Sequence, residues 1–153
     1  MKANYEQMDK ELRAKLHGKN YLMGNLANAS AIIKNNMEDV NWVGFYLLNK
    51  DEMLLGPFQG DPARTRIPLF RGIIGKAMKT WRTQVENDFE CGVCKEKCAD
   101  KICSQIAIPI FYNREPVAVL SIDSNSKDRF SEEDIEHLKY IASLIQRVYR
   151  HMY

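Results

Sequence analysis

Along the first forty positions, apolar residues recur at the spacing of a helix. Tyr5, Met8, Leu12 and Leu16 fall three or four apart in an otherwise charged stretch, which predicts an amphipathic helix over residues 4–16 with one narrow buried stripe. His17-Gly18 is expected to end it, because glycine takes the left-handed conformation past a helix terminus at little cost. A second helix is predicted over about residues 20–37, with Leu22, Leu26, Ala29, Ile33 and Met37 on one face and Met23, Ala27 and Ile32 widening it. The wider face implies deeper burial.

From Asn41 the period shortens to that of strands. Residues 42–48 and 53–58 are aromatic and apolar and flank the polar Asn49-Lys50-Asp51-Glu52, the pattern of an antiparallel hairpin. Thr65-Arg66-Ile67-Pro68-Leu69 is a further strand, and Pro68 requires an edge or strand-end position because it donates no ladder hydrogen bond. Residues 72–80 suggest a short helix and residues 84–87 a short strand. Residues 106–112 and 116–123 form a second hairpin, joined by Asn113-Arg114-Glu115. Ser131-Glu132-Glu133-Asp134 has the form of a capping box and opens a C-terminal helix with Ile135, Leu138, Ala142, Ile145 and Tyr149 on one face. Helices at both ends around a central antiparallel sheet make an α+β layer architecture.

Composition narrows the class further. At 153 residues the chain is expected to form one domain that removes roughly 70% of its unfolded surface from water, so it needs no disulfide framework. Lys plus Arg number 22 against 20 Asp plus Glu, which argues for small-molecule or protein partners and gives no general case for nucleic acid. The N-terminal residues lack the apolar run of a signal peptide, and no stretch approaches the roughly 20 apolar residues of a membrane span. The expectation is a soluble, cytoplasmic protein, not membrane-bound, with reduced thiols.

All four cysteines lie in one segment, Cys91-Gly92-Val93-Cys94-Lys95-Glu96-Lys97-Cys98-Ala99-Asp100-Lys101-Ile102-Cys103. It is too polar to be core, so its cysteines serve thiol chemistry or metal binding, with unreactive loop cysteines as the plain alternative. Cys91-x-x-Cys94 is a chelating pair, and Cys98 and Cys103 would complete a four-thiolate zinc site or hold an iron–sulfur cluster. Lys95, Lys97 and Lys101 favour the thiolate that either chemistry requires, while Glu90, Glu96 and Asp100 oppose them. His17, His137 and His151 have no ligand-like spacing and read as structural or surface residues. Asp123, polar at the end of an apolar strand, is a pocket acid or the cap of the following turn.

Several motifs, in order and spacing, resemble the single-domain GAF proteins called free methionine-(R)-sulfoxide reductases. They are Asn41-Trp42-Val43-Gly44-Phe45-Tyr46, Gly56-Pro57-Phe58-Gln59-Gly60, Arg66-Ile67-Pro68, Arg71-Gly72-Ile73-Ile74-Gly75, and Ile122-Asp123-Ser124 followed by Arg129-Phe130. The resemblance covers nearly the whole chain and implies a GAF fold over residues 1–153, a small-ligand pocket above the sheet and a homodimer, for which the amphipathic terminal helices offer a surface. It places the catalytic cysteine at Cys98, where a thiol attacks the sulfoxide sulfur and becomes a sulfenic acid. A second cysteine then condenses with it to a disulfide that thioredoxin reduces, with no cofactor. The family's two other recurrent cysteines fall at Arg64 and Ile74, so resolution passes to Cys91, Cys94 or Cys103. The implied pocket is bounded by Trp42, Tyr46, Gln105, Ser121 and Asp123. Of three family carboxylates there, Gln105 and Ser121 have lost the acid and Asp123 keeps it. The alternative is a non-enzymatic GAF module binding metal, cluster or small ligand through Cys91, Cys94, Cys98 and Cys103, as a redox or ligand sensor.

Overall fold

The computed structural model describes residues 2–89 and 102–150, among which four helices and a six-stranded sheet form. Helix α1 (Tyr5–Lys15) starts where the Asn4 side chain accepts the Gln7 N–H at 3.0 Å, which satisfies one of the donors a helix start leaves open. Its stripe of Tyr5, Met8, Leu12 and Leu16 is buried as the spacing requires. The helix closes in a different way from the glycine terminus expected above. Leu16 turns to extended backbone (φ −90°, ψ 122°), and Gly18 is not among the left-handed residues. Side chains reach the terminal carbonyls instead: His17 Nε2 lies 3.2 Å from Ala14 O, and Asn20 Nδ2 donates to Lys15 O at 3.4 Å. With those acceptors satisfied, no left-handed residue is needed.

Helix α2 (Leu22–Asn35) buries Leu22, Leu26, Ala29, Ile32 and Ile33. Strands β1 (Trp42–Asn49) and β2 (Glu52–Gln59) form the first hairpin, whose turn contracts to Lys50 and Asp51 because Asn49 pairs with Glu52. β3 (Arg66–Pro68) pairs with β2 at the sheet edge, which leaves Pro68 where its missing donor costs no ladder bond. Helix α3 (Gly72–Thr80) follows, then β4 (Gln84–Glu86), β5 (Ser104–Tyr112) and β6 (Glu115–Ser124). The β5–β6 turn holds Asn113 and Arg114 at φ 51° and 68°, the paired positive angles of a type I′ hairpin turn. Helix α4 (Glu132–Val148) carries the expected capping box, with Ser131 and Asp134 exchanging hydrogen bonds.

The sheet order is β3-β2-β1-β6-β5-β4, with antiparallel neighbours throughout. Alternation along the strands divides it into two faces. Val43, Phe45, Ile106, Ile108, Ile110, Leu120 and Ile122 join Met8, Leu12, Leu26, Ile33, Leu138, Ile141 and Ile145 in the core beneath α1, α2 and α4. The other face contributes Trp42, Tyr46, Ala107 and Val119 to a smaller cluster with Met53 and with Ile74, Ala77 and Met78 of α3.

One buried cation ties the helical side together. The Arg129 side chain, 1% exposed, donates to Asp134 Oδ2 at 3.0 Å, Glu38 O at 2.8 Å and Lys2 O at 3.0 Å. Tyr5 donates its hydroxyl proton to the second Asp134 oxygen at 2.6 Å. A single guanidinium thus joins the N-terminal segment, the connection after α2 and the start of α4.

Candidate active site

Register alone brings the expected pocket residues to one face. Trp42 lies opposite Asp123, and Gln105 flanks Asp123 on its other side, so the three form a row across β1, β6 and β5. The next row on that face is Gly44, Ser121 and Ala107, and Val119 and Tyr46 begin the third. A missing side chain at Gly44 is required here. A Cβ would lie 2.4 Å from Phe58 Cβ and 2.5 Å from the Trp42 ring, which stacks between Phe58 and Tyr46 with centroids 5.3 and 6.0 Å away.

Trp42, Tyr46, Gln105, Ser121 and Asp123 line a single cavity of about 220 Å³. Ile74 of α3 and Ile102, just before β5, also line it, as do Asn41 and residues 61–64 of the β2–β3 connection. Such a volume lies below the roughly 300–1,000 Å³ of drug-sized sites and suits a ligand of amino-acid size. Two larger depressions, of about 710 and 790 Å³, touch none of the five residues.

The two aromatic side chains do more than wall the cavity. Trp42 Nε1 donates to Asp61 O and Tyr46 donates its hydroxyl proton to Arg64 O, each at 3.1 Å. They thereby clamp the β2–β3 connection over the opening by its backbone. Burial, reinforced by the Asp123 carboxylate and opposed by the Arg64 guanidinium, pushes the Tyr46 hydroxyl up to about 12, so it stays a donor at neutral pH. Tyr46→Phe is expected to cost about 1 kcal/mol, the usual net worth of one hydrogen bond. Urea unfolding measures that loss, and amide exchange of residues 61–65 should quicken selectively.

On the cavity floor, Gln105 Nε2 donates to Ser121 Oγ at 3.0 Å. Ser121 Oγ approaches Asp123 Oδ1 at 3.5 Å, a long and weak contact. Ser121 and Asp123 are 1% and 8% exposed, so a single carboxylate stands in a largely desolvated setting where the resemblance leads one to look for three. In the turn that follows Asp123, Ser124 Oγ accepts the Ser126 N–H at 3.0 Å.

Of the four cysteines, Cys91, Cys94 and Cys98 lie outside the described residues. Cys103 precedes β5, its N–H bonded to Ser124 O at 2.8 Å and its carbonyl accepting from Phe89 N–H at 3.1 Å. Ile102 beside it lines the cavity, so the segment's end runs into the site. Among the described residues, no group of three or more His, Cys, Asp or Glu side chains gathers for a metal. His137 stacks on the Tyr5 ring at 4.3 Å and His17 closes α1, both away from the cavity. No helix among the described residues is long and apolar enough to cross a membrane.

Pattern reading missed Asn41, Asp61, Pro62, Ala63, Ile67 and Ile102 as lining residues, and it named Arg64 and Ile74 as positions of absent cysteines without placing them at the cavity. The usable signal was the polar Asp61-Pro62-Ala63-Arg64 connection, which joins two strands of the sheet that carries Trp42 and Tyr46.

A six-stranded antiparallel sheet with three helices on one face, and a ligand-sized cavity under a fourth helix on the other, defines a small-molecule-binding α+β domain. A family model described as GAF domain matches residues 29–148. Free methionine-R-sulfoxide reductase of Escherichia coli (strain K12) is 33% identical over 94% of this chain and 87% of its own length. Among solved structures, fRMsr of Staphylococcus aureus in complex with substrate superposes with a TM-score of 0.88 at 37% identity, covering 95% of each chain. Free methionine-R-sulfoxide reductase from Neisseria meningitidis in complex with its substrate gives 0.82 at 31%, covering 94% of this chain and 87% of that one. The chain belongs to the GAF-domain family, in the group that holds the proteins named free methionine-R-sulfoxide reductase.

Proposed function

We propose that this protein is an oxidoreductase that reduces free methionine-(R)-sulfoxide, as its named relatives do, with Cys98 as nucleophile. The observation that carries this reading is the cavity itself, which gathers Trp42, Tyr46, Gln105, Ser121 and Asp123 and is entered by the end of the cysteine segment at Ile102. The Cys98 thiolate attacks the sulfoxide sulfur. As the sulfur–oxygen bond transfers to the cysteine and a proton is taken up, methionine leaves and Cys98 becomes a sulfenic acid. The thiol of Cys91, Cys94 or Cys103 then displaces water from that sulfur, forming a disulfide, and a thioredoxin-like dithiol reduces it by exchange.

The aromatic wall suits a methylthio group, since polarizable sulfur packs well against rings. Asp123 is the carboxyl that handles the proton for the departing oxygen. Having one acid in place of three lowers the driving force for that step and weakens the hold on an ammonium group. The chain acts as one domain, pairs as a homodimer through its terminal helices, and works with reduced thiols in the cytoplasm without a cofactor.

The test is a thioredoxin-coupled assay with separated sulfoxide epimers, run beside metal analysis of anaerobically purified protein. Reductant consumption specific to the free R epimer is the expected result. No turnover together with near-stoichiometric zinc or iron would overturn the reading in favour of a metal-binding sensor.

A further inference from the structure

We infer that Arg64 is a specificity-determining residue that binds the carboxylate of the substrate at the cavity mouth; this rests on the sulfoxide-reductase reading above. Three observations converge on it.

The first is place. Arg64 lines both the 220 Å³ cavity and an adjoining recess of about 200 Å³ that also holds Arg71. It is exposed at the rim, whereas Ser121 and Asp123 are buried on the floor. A ligand inserted with one end against the floor therefore presents its other end to this guanidinium.

The second is fixation. Tyr46 holds the Arg64 carbonyl at 3.1 Å, and the next carbonyl, of Thr65, accepts the Leu55 N–H at 2.9 Å. The backbone that carries the arginine is thus anchored to β1 and to β2. That fixes where the side chain starts and removes the backbone share of the ordering cost, so only the arginine's own rotamer freedom remains to be lost on binding.

The third is charge. Among the described residues, no carboxylate lies within ion-pair distance of the Arg64 side chain, whereas the nearby Arg66 is held by Glu52 at 2.8 Å. Of the other charged groups lining the cavity, Asp123 sits on the floor and Asp61 is at the rim, its backbone carbonyl tied to Trp42. Gln105 and Ser121 are neutral. A guanidinium fork at a small cleft, with no ion-pair partner among the described residues, matches a carboxylate in shape and sign and binds one through paired charge-assisted hydrogen bonds.

The contact would lie at the far end of the ligand from the reacting sulfur. It therefore stabilises ground and transition states alike, and losing it raises KM while leaving kcat in place. Charge-assisted hydrogen bonds contribute enough for a change of about tenfold or more.

The experiment compares methionine sulfoxide with its carboxamide, which keeps the ammonium and the sulfoxide but carries no negative charge, on wild type, Arg64→Met, Arg64→Lys and Arg66→Met. Wild type should favour the acid about tenfold in kcat/KM. Arg64→Met should raise KM for the acid by about that factor with kcat within twofold, lose the preference, and lose the rise of KM with added salt. Arg64→Lys should keep part of the preference, and Arg66→Met should behave as wild type. In parallel, calorimetric titration with methionine sulfone and its carboxamide reads binding without turnover. If wild type turns over neither sulfoxide yet binds the sulfone acid in preference to its amide, and Arg64→Met does not, the reductase reading fails and the role of Arg64 stands. The inference is overturned if Arg64→Met keeps the acid preference, if Arg66→Met matches its effect, or if wild type binds acid and amide equally or binds neither.

Discussion

Replacing Cys98 by serine is expected to reduce sulfoxide turnover by a factor of about a thousand or more, to the background of the coupled assay. The chemistry needs a sulfur that can carry the transferred oxygen as a sulfenic acid, and a serine hydroxyl has neither the nucleophilicity nor an accessible higher oxidation state. Serine is close to cysteine in size, so this loss should come without loss of fold, and denaturant midpoints of variant and wild type should agree. The cysteine that resolves the sulfenic acid should behave differently. Its variant should still release one equivalent of methionine per protein in a single-turnover experiment and leave a sulfenic acid that a 1,3-dione captures, but it should not cycle with thioredoxin. Applying that test to Cys91, Cys94 and Cys103 in turn identifies the resolving thiol. If Cys98→Ser keeps its turnover while another cysteine variant loses it, Cys98 is not the nucleophile.

How far the sequence carried this picture depends on which interactions each feature rests upon. The Tyr5, Met8, Leu12, Leu16 stripe and the Ser131–Asp134 capping box are local patterns, and both elements formed where period and cap placed them. The α1 terminus is also local, yet glycine chemistry misread it, because His17 and Asn20 side chains compete for the same carbonyls and satisfy them first. The pocket is an intermediate case. Trp42, Tyr46, Gln105, Ser121 and Asp123 were gathered by resemblance, and the pairing of β1 and β5 on either side of β6 explains why they share a face: each lies an even number of steps from the Trp42–Asp123–Gln105 row. The clamp on the β2–β3 connection was not legible. It runs from indole and phenol donors to backbone carbonyls 18 or 19 positions away, and backbone acceptors leave no trace in residue identity. Arg64 entered only as the position of an absent family cysteine, and the same clamp, which holds its backbone at the cavity, is what its residue type could not reveal.

Arg129 shows the same limit with the largest effect on stability. In sequence it sits in the polar run Ser126-Lys127-Asp128-Arg129, yet its side chain is almost wholly enclosed and serves three acceptors. Arg129→Met keeps much of the volume but leaves the Glu38 and Lys2 carbonyls without that donor and Asp134 without its cation. Breaking a buried pair from one side costs about 3–5 kcal/mol. The lower end is expected here, because Asp134 is 14% exposed and keeps Tyr5 and Ser131 as donors. Urea midpoints measure the loss, and its pH dependence tests the cause. Burial alone would raise the Asp134 carboxyl, but the Tyr5 hydroxyl, the Ser131 donors and the Arg129 charge outweigh it and hold the group below its ordinary 3.8. A carboxyl depressed on folding binds its proton first in the unfolded chain. It therefore adds stability above the unfolded value, and that stability is lost as pH falls through the folded one. Wild type should lose this contribution on acidification below about pH 4, and Arg129→Met should lose less across the same interval because its carboxyl is less depressed. Tyr5 supplies the opposite limb. Burial and its bond to Asp134 raise its hydroxyl above the ordinary 10.0, so this contribution is whole at neutral pH and declines once the unfolded tyrosine ionises. Tyr5→Phe should flatten the alkaline limb, whereas Arg129→Met should flatten the acid one, which separates the two ends of the network in one pair of titrations.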